Sequence, residues 1–516
     1  SLGALREELH IFAKKAGTRI LVVNPIREYG LERYWVPSVA WSALFGTKLM
    51  DEFFQVRVGG DIAFINGVVK SVIASNRVDQ SYIDKNTTGF AELKSALEQQ
   101  TWDMLEQRSG VSRGSMQRFA DLYGHAKSAV LVYSVELTQH EFGVENVKAI
   151  VNLALARGML GREKCGIMPI RGHSGAQGGG ECGTEPDKFP GGFAVNDDSA
   201  RRFSNLWHHP VPSNPGRKVP HIIEAAHRGE IKFLYSIGGN LYETMADPQF
   251  VARALSKVRV RVHQDIVLNT SMLLDSDESV VLLPGQTRYE QRTGGTSTST
   301  ERRIRFTPQI PGHAIAEAKP EWEIPVQIGR KSMPNGDKLF PFDDTQSIRE
   351  EMGRVMPIYQ GIEKLNKEGD QLQWGGPFLF KDGFTSMPDN RALFTVLDPP
   401  DRRAAPGKFY LATRRGKQFN SMTFGTSDRL MGTDRRDIIF IAPEDAEKLN
   451  LSDGNNIRVR SESGAMNGIV QLAPVKSGTL QAYWPEANVL ISRRADPGSS
   501  EPDYNAEVWI EKASAS

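Results

Sequence analysis

The chain has 516 residues, with 39% hydrophobic and 24% charged residues, and its 63 Lys and Arg against 62 Asp and Glu leave a net charge of +1. That balance speaks against a nucleic-acid or polybasic membrane surface, and no run approaches the ~18 apolar residues of a membrane-spanning helix. Two cysteines, Cys165 and Cys182, are too few for a disulfide scaffold or for a four-cysteine zinc or iron–sulfur site within the chain; at roughly 150 residues per domain, the length suggests about three domains.

The opening SLGALREELHIF has no Met and no signal-peptide pattern, so it reads as the start of a mature or truncated product. A helix-like LREELHIFAKKAG leads into the β-branched run RILVVNP (19–25). SAVLVYSVE (128–136) predicts a second strand, followed by the helical pattern ENVKAIVNLALARGML. IKFLYSIGGN (231–240), VRVRVHQD (258–265) and SVVLLPG (279–285) predict three more. Buried strands separated by helices imply parallel, doubly wound sheets. Ligands in such folds lie beyond the carboxyl ends of strands, which points to Asn24 and Pro25 with Arg27 just beyond, to 236–240 with Gly238, Gly239 and Asn240, to 263–265 with Gln264 and Asp265, and to Pro284 and Gly285. Diphosphates favour glycine-turn and helix-start amides, and a carboxylate such as Asp265 suits base N–H groups or ribose hydroxyls. For each residue alone, an ordinary turn role is the alternative.

Between about 305 and 405 the pattern dissolves into Pro, Gly and charge, with some helix near QSIREEMGRVMPIYQGIEKL. This predicts a long surface connection. From about 405 short strands follow: KFYLATRR, DIIFIA, NNIRVRSESG, GIVQLAPV and TLQAYW, with one helix start at PEDAEKLNL. Their spacing predicts a closed barrel.

The most unusual stretch is CGIMPIRGHSGAQGGGECG (165–183), with seven glycines in nineteen residues around Arg171, His173 and Gln177. Glycines let a backbone approach a ligand closely, and Arg and His add a permanent cation and a titratable donor. GGGECG matches G-x-G-x-x-G, but the pattern does not follow a strand. G-x-S-x-G fails by one residue at 172–176. A phosphate-binding G-x-x-x-x-G-K-[ST] and H-E-x-x-H are absent. A flexible surface loop is the competing reading.

VVNPIREYGLERYWVPS (22–38), LFGTKLMDEFFQVRVGGDIAF (44–64), GIMPIRGHSGAQGGGECG and GGTSTSTERRIR (294–305) resemble the molybdopterin oxidoreductases, closest to their formate-dehydrogenase-like alpha subunits. YLATRRGKQFNSM and IIFIAPEDAEKLNLSDGNNIRVRSESG are similar to that superfamily's dinucleotide-binding barrel. The resemblance runs from Leu21 to Ile510 and implies an α/β multi-domain fold: doubly wound parallel-sheet domains over 1–172 and 173–345, a linker region over 346–404, and a C-terminal β-barrel of double-psi type over 405–516. It implies molybdenum or tungsten held by two molybdopterin guanine dinucleotides and a 4Fe-4S cluster. The cluster's cysteines are missing here, since the chain begins well inside a full family member's length, so that part is expected from a missing N-terminal region or another chain.

The implied activity is two-electron oxidation of formate to carbon dioxide, with a small anionic substrate, a separate electron acceptor, no nucleic acid, no membrane insertion and a cytoplasmic setting. Nitrate or another small anion, or a catalytically silent cofactor-binding homologue, are the alternatives. By the same resemblance Arg171 aligns with an active-site arginine, and its guanidinium fork suits a carboxylate; a structural salt bridge is the alternative. His173 is the candidate proton relay, or else orders the loop. Gln177, Glu301, Arg302, Thr413, Arg414, Gln418, Asn420, Asn488, Tyr504 and Asn505 are implied cofactor contacts. No protein metal ligand is identified. Cys165 and Cys182 read as buried free thiols.

Overall fold

The computed structural model describes residues 17–36, 39–173, 175–315, 317–416, 419–420, 423–425 and 427–512. The contacts divide the chain into two compact units, one of residues 1–168 with 378–516 and the other of 169–377.

In the first unit, strand β1 (Leu21–Val23) pairs in parallel with β2 (Glu52–Phe54). Helix α1 (Asp61–Ala74) is buried on nearly every side, from Ile62 through Val72. A helix apolar all round can only be stable inside a core. Around it pack α2 (Trp102–Ser109) and α3 (Arg113–His125), each started by an N-cap hydroxyl, of Thr101 and Ser112, that accepts a backbone N–H of the first turn. Strand β3 (Val130–Tyr133) precedes α4 (Gly143–Ala156), whose Ala149, Leu153, Ala154 and Leu155 join the same core. Strand β4 (Gly166–Pro169) pairs with β3 and leads into the glycine-rich segment.

The second unit opens with α5 (Gly175–Glu181). Helix α6 (Val219–His227) is followed by β5 (Phe233–Ile237), α7 (Pro248–Ser256), β6 (Val260–Asp265) and β7 (Ser279–Pro284). The three strands form a parallel sheet in the order β5-β6-β7. Phe250, Val251, Ala254 and Leu255 form one stripe on α7 and pack with Ile223 and Ala226 of α6. An antiparallel sheet of β8 (Gly295–Thr298), β9 (Arg303–Thr307) and β10 (Gln371–Gln373) follows. Between β9 and β10 lie α8 (Glu323–Ser332) and α9 (Thr345–Val355).

The stretch from about 305 to 405, expected as a long surface connection and from 346 as a linker region, instead carries α8, α9 and β10 and enters the cores of both units. Val355, Met356, Tyr359, Ile362 and Leu365 are buried in the core of the second unit. Phe384, Ala392, Phe394 and Leu397 are buried in the core of the first. The apolar residues there are spaced irregularly because they sit in 3₁₀ turns and short bridges, so neither a 3.6 nor a 2.0 period marks them.

The chain then returns to the first unit as a closed barrel of β11 (Phe409–Arg414), β12 (Ile438–Ile441), β13 (Asn456–Arg460), β14 (Ala465–Leu472), β15 (Thr479–Tyr483) and β16 (Asn505–Lys512), in the order β11-β15-β12-β14-β13-β16. The β11–β15 and β12–β14 pairs are parallel and the rest antiparallel. Closure removes the unpaired edges an open sheet would leave. The expected fold class is thus observed: an α/β chain with a C-terminal β-barrel. The barrel is tied to the first strand's end, because Gln55 Nε2 donates to the carbonyls of Pro25 and Pro474, both at 3.1 Å. No helix among the described residues is long and apolar enough to cross a membrane.

Candidate functional site

The residues expected at the site fall into two groups, one in each unit. In the second unit, α5 carries the glycine-rich segment. Gly178 sits where a Cβ would come within 2.7 Å of Thr298 Cγ2, and its N–H donates to Thr298 Oγ1 at 2.9 Å. Only glycine permits that approach of α5 to β8. The G-x-G-x-x-G match at 178–183 therefore lies inside and just past a helix rather than between a strand and a helix. Arg171 and His173 lie just before α5, and both are exposed. The Arg171 guanidinium makes no hydrogen bond or ion pair among the described residues. Gln177, half-buried, donates from Nε2 to Glu181 Oε1 at 3.0 Å.

At the carboxyl end of the parallel sheet, the strand-end residues form one hydrogen-bonded cluster. Gly238 and Gly239 follow β5 with φ of +68° and +80°, in the left-handed region that favours glycine. Nothing lies within 4 Å of a Cβ built on either. The Gly238 N–H donates to the Gln264 carbonyl at 2.8 Å. Asp265 accepts from the Ile266 N–H at 2.7 Å and from Asn269 Nδ2 at 3.0 Å, and Asn240 accepts from Ser271 Oγ at 2.8 Å. Gln264 is fully buried, accepts from the Tyr235 hydroxyl and donates to the Glu321 carbonyl at 2.9 Å. Asn269 and Ser271 were not among the residues expected from the sequence. The structural signal is a turn that folds back under Asp265.

Arg302 and Glu301 are engaged within the protein. Arg302, at φ +65°, donates to the carbonyls of Trp374 and Gly376 and lies 5.3 Å from the Trp374 ring centroid. Burial lowers the Arg302 pKa. Glu301 is within 3.6 Å of Arg303 and 3.5 Å of Arg305.

In the first unit, Asn24 follows β1 and donates to the Ile26 carbonyl at 2.8 Å. Arg27 is exposed and paired with Glu32 at 2.9 Å. Arg414, at the end of β11, is only 10% exposed and within 3.6 Å of Glu28 and 3.8 Å of Asp428. It donates to Gln481 Oε1 at 3.3 Å, yet its Nε is buried with no partner among the described residues. A buried donor left unmet is costly. Thr413 donates from its hydroxyl to the Tyr504 carbonyl at 3.2 Å. Tyr504 is buried, and burial pushes its phenol well above the usual range. Asn505 donates to Asp503 Oδ1 at 2.7 Å, and Asn488 is fully buried after β15. Asn420 lies on a two-residue strand, Phe419–Asn420, and Gln418 lies outside the described residues.

Cys165 and Cys182 are free and half-buried rather than fully buried. Burial beside Glu181 pushes the Cys182 thiol up to about 11, so it is protonated at neutral pH. No group of three or more His, Cys, Asp and Glu that could hold a metal ion occurs among the described residues. The residues do fit a long anionic nucleotide cofactor. The open, left-handed Gly238–Gly239 turn offers room for a diphosphate beside the sheet end. Arg414, its side chain 10% exposed, and the exposed Arg415 guanidinium, 4.2 Å from the Trp484 ring centroid, supply positive charge at the end of β11.

Comparison with known proteins agrees. Residues 39–331 match the molybdopterin oxidoreductase family model, and residues 409–508 match the molybdopterin dinucleotide binding domain. The chain is 29% identical to the F420-dependent formate dehydrogenase 1 subunit alpha of Methanococcus maripaludis, over 95% of this chain and 72% of that protein. It is 27% identical to protein YdeP of Shigella flexneri, over 95% of this chain and 68% of that one. The solved structure of acetylene hydratase from Pelobacter acetylenicus superposes with a TM-score of 0.68 at 16% identity, covering 97% of this chain and 75% of that chain, which supports the fold. The chain therefore belongs to the molybdopterin oxidoreductase family and ends in a molybdopterin dinucleotide-binding barrel.

Proposed function

We propose that the chain is the cofactor-binding core of a formate-oxidising enzyme, in which formate gives up one proton and two electrons and leaves as carbon dioxide. A molybdenum or tungsten centre carrying two molybdopterin guanine dinucleotides would supply the two-electron redox chemistry, with a 4Fe-4S cluster outside this chain as the route to an acceptor. The observation that carries this reading is Arg171: a permanent cation, exposed, and with no partner among the described residues. Two parallel N–H groups of its fork grip a carboxylate and fix the direction of the formate C–H.

His173 lies two residues on, where an imidazole can take the released proton. Gly238, Gly239, Asn240, Gln264 and Asp265 hold one nucleotide tail, with Gln177, Glu301 and Arg302 nearer the pterin. Asn24, Arg27, Thr413, Arg414, Gln418, Asn420, Asn488, Tyr504 and Asn505 hold the second dinucleotide from the first unit. The formate dehydrogenase alpha subunit among its relatives favours formate over other small anions.

The test is a paired assay of the cofactor-loaded protein. Formate-dependent reduction of a viologen dye is the expected result, with nitrate-dependent dye oxidation at background. Nitrate reduction without formate oxidation would replace the substrate. Loaded protein inert in both directions would favour a silent cofactor carrier.

A further inference from the structure

Glu181 ends α5 and is the meeting point of three side chains of the second unit. Its Oε2 accepts from the Tyr359 hydroxyl and from Trp374 Nε1, the latter at 3.2 Å. Its Oε1 accepts from Gln177 Nε2 at 3.0 Å. Arg302 lies over the Trp374 ring and feels the Glu181 charge without touching it. Tyr359 is 1% exposed, so its hydroxyl has little water to turn to. This places one end of the carboxylate firmly in the core.

The consequence falls on Gln177. An ionised carboxylate has acceptors and no donor. Gln177 can meet Glu181 only with its NH₂ group, so the amide cannot flip. Its carbonyl Oε1 is turned away and makes no hydrogen bond among the described residues. From the rest of the helix, Gly178 is held by Thr298, so α5 itself cannot rotate to satisfy Gln177 differently.

We infer that Glu181 is a positioning residue that locks Gln177 as an outward hydrogen-bond acceptor, matched to an N–H donor of the pterin ring system rather than to a phosphate or carboxylate. This rests on the functional reading above. A phosphate would meet Oε1 as one acceptor facing another, whereas a pterin carries ring and amino N–H groups. Glu181 was not among the residues expected from sequence, where it read as part of the glycine run.

Three variants of the holoprotein test it: E181Q, Q177A and the double variant. Gln at 181 still accepts from Tyr359 and Trp374, so the melting temperature of E181Q is expected near wild type. It can also donate, which frees the Gln177 amide to flip. The readouts are pterin and metal retained per chain after prolonged gel filtration, and KM and kcat for formate. E181Q and Q177A are each expected to speed cofactor loss about tenfold, the upper worth of one neutral hydrogen bond. The double variant is expected to lose cofactor no faster than Q177A alone, because Glu181 acts through Gln177.

An E181Q variant that keeps its cofactor like wild type would overturn the inference. So would an E181Q effect without a Q177A effect, or a double variant whose loss is the product of the singles, about a hundredfold. Wild-type protein that carries no pterin would overturn the functional reading itself, which separates the two failures.

Discussion

Replacing Arg171 with alanine is expected to lower kcat/KM for formate by about a hundredfold while leaving the cofactor content and the melting temperature unchanged. The magnitude follows from removing one preorganised donor aimed at developing or resident negative charge, typically 10²–10³ in rate. The stability expectation follows from the structure: the side chain is exposed and touches no partner among the described residues, and such surface positions usually change stability by less than about 0.5 kcal/mol. R171K separates charge from shape. Lysine keeps the cation but not the planar two-pronged fork, so it is expected to recover only part of the loss, chiefly in KM. Steady-state kinetics with formate on both variants checks this; kcat/KM for R171A within twofold of wild type would remove Arg171 from the substrate site.

The second large effect is expected on stability, at Asp503. This carboxylate is 2% exposed and ion-paired with Arg402 at 2.6 Å, whose other arm holds Glu141 at 2.5 Å. Arg402 also lies 4.8 Å from the Tyr410 ring centroid and 5.7 Å from that of Phe142. Asp503 Oδ1 further accepts the side-chain and backbone N–H of Asn505, at 2.7 and 3.1 Å. Next to this group the His140 imidazole is buried, and burial keeps its pKa below the usual range. Removing one member of a buried pair strands the other charge and costs about 3–5 kcal/mol. D503A is expected to show that loss in urea titrations read by amide exchange of barrel peptides. E141A, whose carboxylate is 33% exposed, is expected to cost about 1 kcal/mol. Equal effects of the two would mean that burial does not govern this cluster. Because Asp503 sets the backbone of 503–505, D503A is also where the two candidate contacts Tyr504 and Asn505 would lose their support.

Much of the fold is legible in the sequence because its strands are short, β-branched and punctuated. RILVVNP, IKFLYSIGGN, VRVRVHQD and SVVLLPG each fall on an observed strand, and the five runs after residue 405 fall on strands of the closed barrel. The apolar runs of the first four mark them even though, against the expectation of buried strands, only β6 among them is mostly buried, and Val23, Phe233, Ile237 and Leu282 are exposed. The failures have a common cause. Residues 346–404 bury Tyr359, Ile362, Phe384 and Phe394 without a regular period, so their polar neighbours dominate the reading. Cys165 and Cys182 lie at element ends, which leaves them half-buried.

The site is legible to a smaller degree. Strand-end logic, which depends only on where a strand stops, expects Gly238, Gly239 and Asp265 at strand ends, and the structure has them there. It misses Asn269, which reaches Asp265 from a turn, and Glu181, whose partners Tyr359 and Trp374 are distant in sequence. Arg27 and Arg302, both proposed cofactor contacts, already have protein partners, which the sequence does not reveal. Sequence shows which residue types are present at a turn; only the fold shows which of their hydrogen-bonding groups are already used.

The account rests on a chain built to grip two pterin dinucleotides. The most direct measurement is mass spectrometry of the small molecules released on denaturing the purified protein, with metal analysis of the same sample. Two guanine dinucleotides of molybdopterin for each molybdenum or tungsten, and one metal per chain, is the predicted result. Protein that is folded and intact yet releases no pterin nucleotide when isolated from cells that make the cofactor would contradict it.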